Sequence, residues 1–144
     1  MTERIVFPDI EKTLVDYLTA QLAAASDTAK VVTRIPEPRP SRMVRVTRND
    51  RKLRQDVEDR EGRRGPNLIL DRPRVVLECT DDSGTAASLA GLVRAILSAA
   101  APGYLGSVWC EYIEDVGLEN DTDPATAAPR QVIIVDLIVR GKSA

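Results

Sequence analysis

The fold follows most directly from residues 131–140, which read Gln-Val-Ile-Ile-Val-Asp-Leu-Ile-Val-Arg. Side chains of a strand alternate between its two faces, so each face can be considered separately. One face carries only apolar residues, namely Ile133, Val135, Leu137 and Val139. The other face is apolar except for one carboxylate and consists of Val132, Ile134, Asp136 and Ile138. The sequence therefore predicts a strand that must be covered on both faces.

Upstream of this strand, helical and β-rich patterns follow one another. Apolar residues recur every three to four positions across residues 9–24 and again across residues 86–100, which is typical of helices with one buried stripe. Asp9 is placed to cap the first helix. The β-rich runs cover residues 30–35, 43–48, 74–80, 107–115 and 131–140.

The element order αβββαββ predicts the fold class. We expect an α+β protein in which two helices pack on one face of a mixed, mostly antiparallel sheet of about five strands. A chain of 144 residues suits a single domain, residues 1–144. Residues 49–67 have no hydrophobic period, so we expect a long arginine-rich loop there. Two helices cover only one side of so small a sheet, and the second face is expected to pack against another chain or a long loop.

The composition argues against an enzyme. The chain has no histidine, the commonest general base near neutral pH and the commonest metal ligand. Its two cysteines, Cys79 and Cys110, are too few for a disulfide framework and belong to no CxxC motif. No apolar run reaches the ~18 residues of a membrane span. We therefore predict no catalytic, cofactor-binding or metal-binding residues and no membrane partner.

Four short segments contain residue types that also occur in chemical sites. The adjacent carboxylates at 81–82 and 114–115 fit a helix cap and a strand end better than a catalytic pair. Residues 120–123 offer oxygen ligands, but they lack the glycine and the distant glutamate of a calcium loop. Residues 61–66 contain two glycines without the spacing of a phosphate-binding loop. These motifs indicate structural roles.

Charge is unevenly distributed along the chain. Residues 34–74 hold thirteen bases and seven acids, a net charge of +6 in a chain whose net charge is −2. Residues 111–136 hold seven acids and only one base, Arg130. Opposite charge at two ends favours head-to-tail association between copies, which closes into rings where the rotation allows. For the arginines of residues 42–64 three interpretations remain open: a protein interface, a solvated face paired with nearby acids, or a nucleic-acid contact.

Several segments, in order, resemble a known family. They are Phe-Pro-Asp-Ile-Glu-Lys-Thr-Leu-Val-Asp-Tyr-Leu at 7–18, Val-Thr-Arg-Ile-Pro-Glu-Pro-Arg-Pro at 32–40, Met-Val-Arg-Val-Thr-Arg at 43–48, the strand and alanine-rich helix at 75–97, Asp-Pro at 123–124, Pro-Arg at 129–130 and the closing Val-Arg-Gly at 139–141. Over nearly its whole length the chain resembles the tail terminator proteins of long-tailed, siphovirus-type bacteriophages, especially those of actinobacterial hosts. It departs from them at Asn49-Asp50, where many have a glycine pair, and at Cys79-Thr80, where many have Trp-Ala.

The resemblance implies a structural virion protein and not an enzyme. Such a protein forms a ring of six copies at the neck of the particle, on the last ring of the major tail tube protein. It stops tube polymerisation and offers its other face to the head-completion or stopper protein. DNA passes through the lumen without sequence-specific binding, and assembly takes place in the host cytoplasm. The alternatives are another neck or stopper protein and a nucleic-acid-binding module that uses the arginine-rich segment.

From these two lines of reasoning we predict a sheet that continues or packs across the subunit boundary. The polar contacts to a subunit or partner are expected from Arg45, Arg48, Arg51, Arg54, Arg63 and Arg64. The apolar contacts are expected from Val132, Ile134 and Ile138.

Overall fold

The computed structural model describes residues 4–50, 61–65, 68–124 and 129–143, and all structural statements below concern these residues. The helices are α1 (Ile10–Ala24) and α2 (Ala86–Ala100). The strands are β1 (Ile5–Val6), β2 (Lys30–Val32), β3 (Arg42–Arg48), β4 (Glu61–Gly65), β5 (Leu68–Asp71), β6 (Arg74–Asp81), β7 (Gly103–Leu105), β8 (Val108–Thr122), β9 (Pro129–Arg140) and β10 (Lys142–Ser143). β1 and β10 pair with each other, and the other eight strands form one sheet.

The strand β9 lies at the centre of that sheet. One of its edges pairs with β6, which in turn pairs with β3 and then β2; the other edge pairs with β8, which carries the short β7. β5 continues along the same edge of β9 beyond the end of β6 and carries β4 on its outer side. Among the pairs formed by the described strands, only β2 and β3 run parallel. The sheet curls into a half-barrel, as the twist of paired strands favours.

The core lies between one face of this sheet and both helices. In α1, the buried residues Ile10, Leu14, Leu18 and Leu22 follow one another at four-residue spacing, which places them on one stripe. The buried side chains that α2 and the sheet add to the same cluster include Leu89, Val93, Leu97, Val44, Val46, Val75, Leu77, Ile133, Val135, Leu137 and Val139. The sequence prediction of these two helices is confirmed. So is the cap on α1, because the Lys12 amide donates to Asp9 Oδ1 at 3.1 Å.

The predicted fold class is wrong. The sequence suggested two helices on a sheet of about five strands, whereas the protein is mainly a curled sheet of eight strands. The largest difference concerns β8, which was expected at 107–115 and extends through Thr122. Residues 116–122 include glycine, asparagine and aspartate, which are depleted in strands, so the residue pattern predicted no strand beyond residue 115. Continuous pairing with β9 holds them extended.

The loop predicted at residues 49–67 also needs correction. Its residues 61–65 form β4, which pairs antiparallel with β5 and not with any strand recognised from the sequence. β4 reads Glu-Gly-Arg-Arg-Gly and contains no apolar side chain, so it gave no β pattern. Residues 51–60, 66 and 67 lie outside the described residues.

Candidate functional site

The face of the sheet opposite the helices is lined by charged side chains. The register places Arg45 of β3 opposite Glu78 of β6, and Arg74 of β6 opposite Asp136 of β9. β8 extends the same rows, because Glu114 stands opposite Asp136 and Asp121 opposite Arg130. The charged face, as we call it, consists of Arg45, Arg74, Glu78, Glu114, Glu119, Asp121, Arg130 and Asp136. Arginines face acids between β3 and β6, between β6 and β9 and at Asp121 of β8, whereas Glu114 and Asp136 place two acids side by side.

Two arginines of the charged face hold neighbouring strands together. Arg74 Nε and Nη2 donate to the two carboxylate oxygens of Asp136, each at 2.7 Å. Arg130 binds both oxygens of Asp121 at 2.7 and 2.9 Å, and its Nη1 lies 3.4 Å from Glu78 Oε2. The hydrogen bonds to these carboxylates raise the pKa of both guanidinium groups. Bidentate pairs of this kind fix side-chain geometry as well as charge.

A second cluster joins β3 to the start of α2. Arg42 donates to both oxygens of Asp27 at 2.9 and 2.8 Å and to Asp81 Oδ2 at 2.7 Å. The hydrogen bond from Arg42 lowers the pKa of Asp27. At Asp81, hydrogen bonds from the Ser83 hydroxyl and from Arg42 hold the pKa far below its ordinary value. The cluster is therefore an ionised structural network.

A third arginine occupies the end of β3. Arg48 donates to both oxygens of Asp71, which is fully buried, at 2.8 and 3.0 Å, and to both oxygens of Asp50 at 3.0 and 2.9 Å. Its backbone amide donates to Glu11 Oε2 at 2.7 Å, which ties β3 to α1. The guanidinium of Arg48 therefore binds carboxylates of its own chain.

These contacts neutralise much of the charge asymmetry seen in the sequence. Among the described residues of the basic segment 34–74, ion pairs with carboxylates of the same chain include those of Arg39, Arg42, Arg48 and Arg74. Two of these pairs, Arg39 with Asp123 and Arg74 with Asp136, join the basic segment to the acidic one. The opposite charges of the two segments therefore stabilise the fold of a single chain.

The outer edge of β8 is the most extended open feature of the sheet. β9 pairs with one edge of β8 along its length, while β7 covers the other edge only from Val108 to Cys110. Among the described residues, no strand pairs with that other edge over residues 111–122. We call this segment the β8 edge. A row of backbone N–H and C=O groups of this length is a template for another strand.

Exposed apolar side chains lie along and beside the β8 edge. Tyr112, Val116 and Leu118 are 51%, 39% and 43% exposed. Tyr104 of β7 is 65% exposed and stands edge-to-face with Trp109 at a centroid distance of 5.0 Å. A depression of about 430 Å³ next to this ring pair is also lined by Arg140 and Lys142. Tyr112 and Leu118 lie on opposite faces of β8, because they stand opposite Ile138 and Ile133, and the exposed aromatic residues beside Ile138 indicate a contact surface.

The residues predicted to form an interface fall into three groups. Arg45 is half-buried on the charged face, with Nε 3.4 Å from the Thr33 carbonyl, whereas Arg48 is held by internal carboxylates. Arg63 and Arg64 lie in β4, at the opposite side of the sheet from β8. Arg51 and Arg54 lie outside the described residues.

The residues predicted to make apolar contacts with a partner, Val132, Ile134 and Ile138, differ in exposure. Val132 and Ile134 are only 3% and 1% exposed in the single chain, so they offer almost no surface to a partner. Ile138 is half-buried and stands opposite Tyr112 in the register of β8 and β9. The second face of β9 is thus largely enclosed by the fold itself, and Ile138 alone of the three lies beside the exposed aromatic residues.

Sequence reasoning missed the aromatic residues of β7 and β8. Three of the five aromatics of the chain, Tyr104, Trp109 and Tyr112, fall within nine residues. That clustering was visible in the sequence and could have indicated the surface. The extension of β8 through Thr122 gave no comparable signal, because the pairing with β9 creates it.

Both cysteines of the chain are buried. Burial raises the pKa of the Cys79 thiol to about 12 and that of the Cys110 thiol to about 11, so both resist forming the reactive thiolate. No group of histidine, cysteine or carboxylate side chains suited to a metal ion occurs in the described part of the chain. Nor does any helix there combine the length and the apolar character that crossing a membrane requires.

In comparisons with known proteins, no protein-family model matches this chain, and no curated protein is significantly similar to it.

Proposed function

We propose that this protein is a structural subunit of a long-tailed bacteriophage, a ring-forming tail terminator located at the neck. The ring caps the tail tube, stops its polymerisation and provides the docking surface for the head-side connector. The partners are further copies of the chain, the major tail tube protein and a head-completion or stopper protein.

The β8 edge is the observation that supports this proposal best. It combines an unpaired strand segment with the exposed side chains of Tyr112, Val116 and Leu118. A strand edge of this length is an aggregation hazard unless a partner covers it. The order of segments that resembles the tail terminators supplies the biological setting.

The internal ion pairs favour a protein interface over a nucleic-acid contact. Arg39, Arg42, Arg48 and Arg74 are each held by a carboxylate of the same chain and are not displayed together as a phosphate-binding surface. A nucleic-acid module depends on cations that release counterions when they meet phosphates. We therefore expect only weak binding to free DNA, measured by fluorescence anisotropy with a labelled duplex across a salt series. Tight binding that falls steeply with salt would favour the nucleic-acid module instead.

Deletion of the gene in the phage tests the function directly. Loss of a terminator leaves tube growth unchecked, so electron microscopy of lysates should show overlong tails that lack heads. Filled heads without tails, next to free tails of normal length, would indicate a neighbouring head-completion protein. Infectious particles of normal appearance would contradict a role in the neck altogether.

The state of the purified protein tests ring formation separately. We expect light scattering or native mass spectrometry to detect a closed oligomer, with six copies as the expected number, at high protein concentration. A strictly monomeric protein in low salt would show that the ring does not close without the tube.

A further inference from the structure

Five strands form one continuous strip of the sheet, in the order β2, β3, β6, β9, β8. The registers connect residues from one end of this strip to the other. One row joins Val32 of β2 to Glu119 of β8 through Arg45, Glu78 and Val132. The outer edge of β2 and the β8 edge are therefore the two ends of one strip, and they lie on the same rows of residues.

Both ends of this strip lack a strand partner among the described residues. β2 (Lys30–Val32) pairs with β3 on one side, and no described strand pairs with its other side, which we call the β2 edge. On β8, the register with β9 shifts twice before Gly117 and is continuous from Gly117 to Thr122. The unpaired groups of residues 117–122 are therefore regularly spaced, which makes this part of the β8 edge the best template for another strand.

The directions of the strands suit the two ends to each other. β2 runs parallel to β3, and the pairs from β3 to β6, β6 to β9 and β9 to β8 are antiparallel, so β2 and β8 run in opposite directions. A rotation about an axis along the strands keeps these directions and keeps the charged face on one side. A second copy related in this way places its β8 antiparallel to β2, which is the commoner form of strand pairing.

The two edges also carry opposite charge. Residues 29–36 contain two bases and no acid, whereas residues 111–122 contain five acids and no base. Lys30 is exposed and Glu119 is half-buried, and neither side chain forms an ion pair with a described residue. The register connects Lys30 through Met43 and Thr80 to Arg130 of the charged face, to which Glu119 also belongs. Both side chains therefore lie on the same face of the sheet.

We propose that the β2 edge of one copy adds antiparallel to the β8 edge of the next copy, with Lys30 opposite Glu119. The same register places Val31 opposite Leu118 on the helix side, where Leu118 is 43% exposed in the single chain. Backbone hydrogen bonds supply affinity in this mode of strand addition, and the charges select the partner and the register. This contact rests on the proposed ring-forming function and specifies which surfaces join the copies.

The same observations argue against pairing between two identical edges. Two β8 edges would bring two acidic segments together, and two β2 edges would bring the Lys30 side chains of both copies together. Like charges placed opposite one another across a strand pair are destabilising. A head-to-tail contact between different surfaces remains, which is the type that generates rings.

Charge exchange between the two edges tests the contact. Lys30→Glu and Glu119→Lys should each weaken association about tenfold, measured by concentration-dependent light scattering, because like charges then face each other. Combining both substitutions in one chain restores opposite charges across the contact and should restore the oligomer. Lys142→Glu is the matched control for Lys30→Glu, because Lys142 is exposed, lies outside the strip and gives the same change in net charge.

A chemical cross-link gives a readout that does not depend on charge. Lys30→Cys in one preparation and Glu119→Cys in a second, larger tagged preparation should form a mixed disulfide when the two are combined under mild oxidation. Residues directly opposite each other on paired strands lie about 4.5–5.5 Å apart, which a disulfide can bridge. Leu118→Cys in place of Glu119→Cys is the control and should not cross-link, because Leu118 lies on the other face of β8.

Two further checks apply to every variant. The native Cys79 and Cys110 are fully buried and should not interfere with the cross-link. Thermal unfolding establishes that each variant is folded.

The outcomes separate this contact from the function on which it rests. An oligomer that persists in both charge-reversed variants, with no mixed disulfide, overturns the β2–β8 contact and leaves ring formation intact. A wild-type protein that stays monomeric and gives no mixed disulfide overturns the contact and self-assembly in isolation, while tail length in the gene deletion still decides the function. Loss of the oligomer in Lys142→Glu as well, or equal cross-linking at Leu118→Cys, would also overturn the specific contact.

Discussion

The two faces of the central sheet are built from the same strands and differ in what they bury. On the helix side, Val46, Leu77 and Ile133 lie in one row across β3, β6 and β9, and all three are fully buried. On the charged face, the neighbouring row joins Arg45, Glu78 and Val132. The first face gains stability from apolar area removed from water. The second also buries Val76, Val132 and Ile134, but it adds paired charges whose geometry must be correct.

The apolar face mainly determines the stability of the fold, whereas the charged residues mainly determine which strands pair. An apolar row tolerates any arrangement that fills its volume, so it stabilises the sheet without selecting a partner. Charged residues select strand neighbours by sign and position, within the chain at Arg74 and Asp136 and, as proposed, between chains at the β8 edge. We therefore expect substitutions on the helix side to change stability most and substitutions on the β8 edge to change assembly most.

The largest expected effect is a cavity on the helix side. Leu77→Ala removes a fully buried side chain from the core cluster and should lower the free energy of unfolding by about 3–5 kcal/mol. Urea denaturation monitored by circular dichroism measures it. Leu118→Ala, at a 43% exposed position, is the control and should cost less than about 0.5 kcal/mol. Equal effects at the two sites would contradict the contrast between core and edge.

The next effect concerns the buried charge on the opposite face. Asp136→Asn removes the charge of the carboxylate that Arg74 Nε and Nη2 bind and should lower the free energy of unfolding by about 3 kcal/mol. Asp115→Asn makes the same chemical change where the partner, Arg94, is 41% exposed, and should cost at most about 1 kcal/mol. A larger loss in Asp115→Asn than in Asp136→Asn would contradict the importance of burial for this pair.

The dependence of stability on pH tests how much the ion pairs of Arg42 contribute to the free energy of unfolding. In the folded chain the pKa values of Asp27 and Asp81 lie below their ordinary value of 3.8, so their contribution is complete above that pH. It is lost as the pH falls from about 4 through the folded pKa values, because both groups must be protonated. Arg42→Gln should flatten the acid limb of a plot of unfolding free energy against pH. An unchanged acid limb would show that other carboxylates control acid unfolding.

The smallest effect is the reactivity of the cysteines. At pH 8 neither thiol should react with Ellman's reagent in the native protein, because burial raises the pKa of both. Two thiols per chain should react after unfolding in guanidinium. Ala95→Cys, at an exposed position on α2, serves as the positive control. Rapid labelling of native wild-type protein would show that the core near Cys79 or Cys110 opens readily.

The predictions from sequence succeeded where a local pattern repeats. Three features depend only on neighbouring residues: the four-residue spacing of apolar residues in α1, the cap at Asp9 and the continuous apolar run of β9. They failed where a strand exists only because of its neighbour. β4 and the end of β8 contain glycine and charged residues and are extended through pairing with β5 and β9. The fold class was wrong for that reason.

The residues of the candidate site also divide into those that a local sequence property indicated and those whose surroundings depend on distant residues. Arg45, Arg63 and Arg64 were selected for charge density, which is a property of the sequence alone, and their contact with a partner stays a prediction. Arg48 was also selected for charge density, but its guanidinium donates to Asp71, which is 23 residues away in the chain. Val132 and Ile134 were selected for their apolar character, and the curl of the sheet encloses them.

The sequence by itself determined the two helices, the apolar character of β9, the absence of histidine chemistry and the separation of basic and acidic segments. These properties depend on residue type and on periodicity over a few turns or strand positions. The tertiary structure alone decided which charges are neutralised, which strand edges stay open and which apolar residues remain exposed. Those properties depend on contacts between residues far apart in the chain, and no local pattern records such distances.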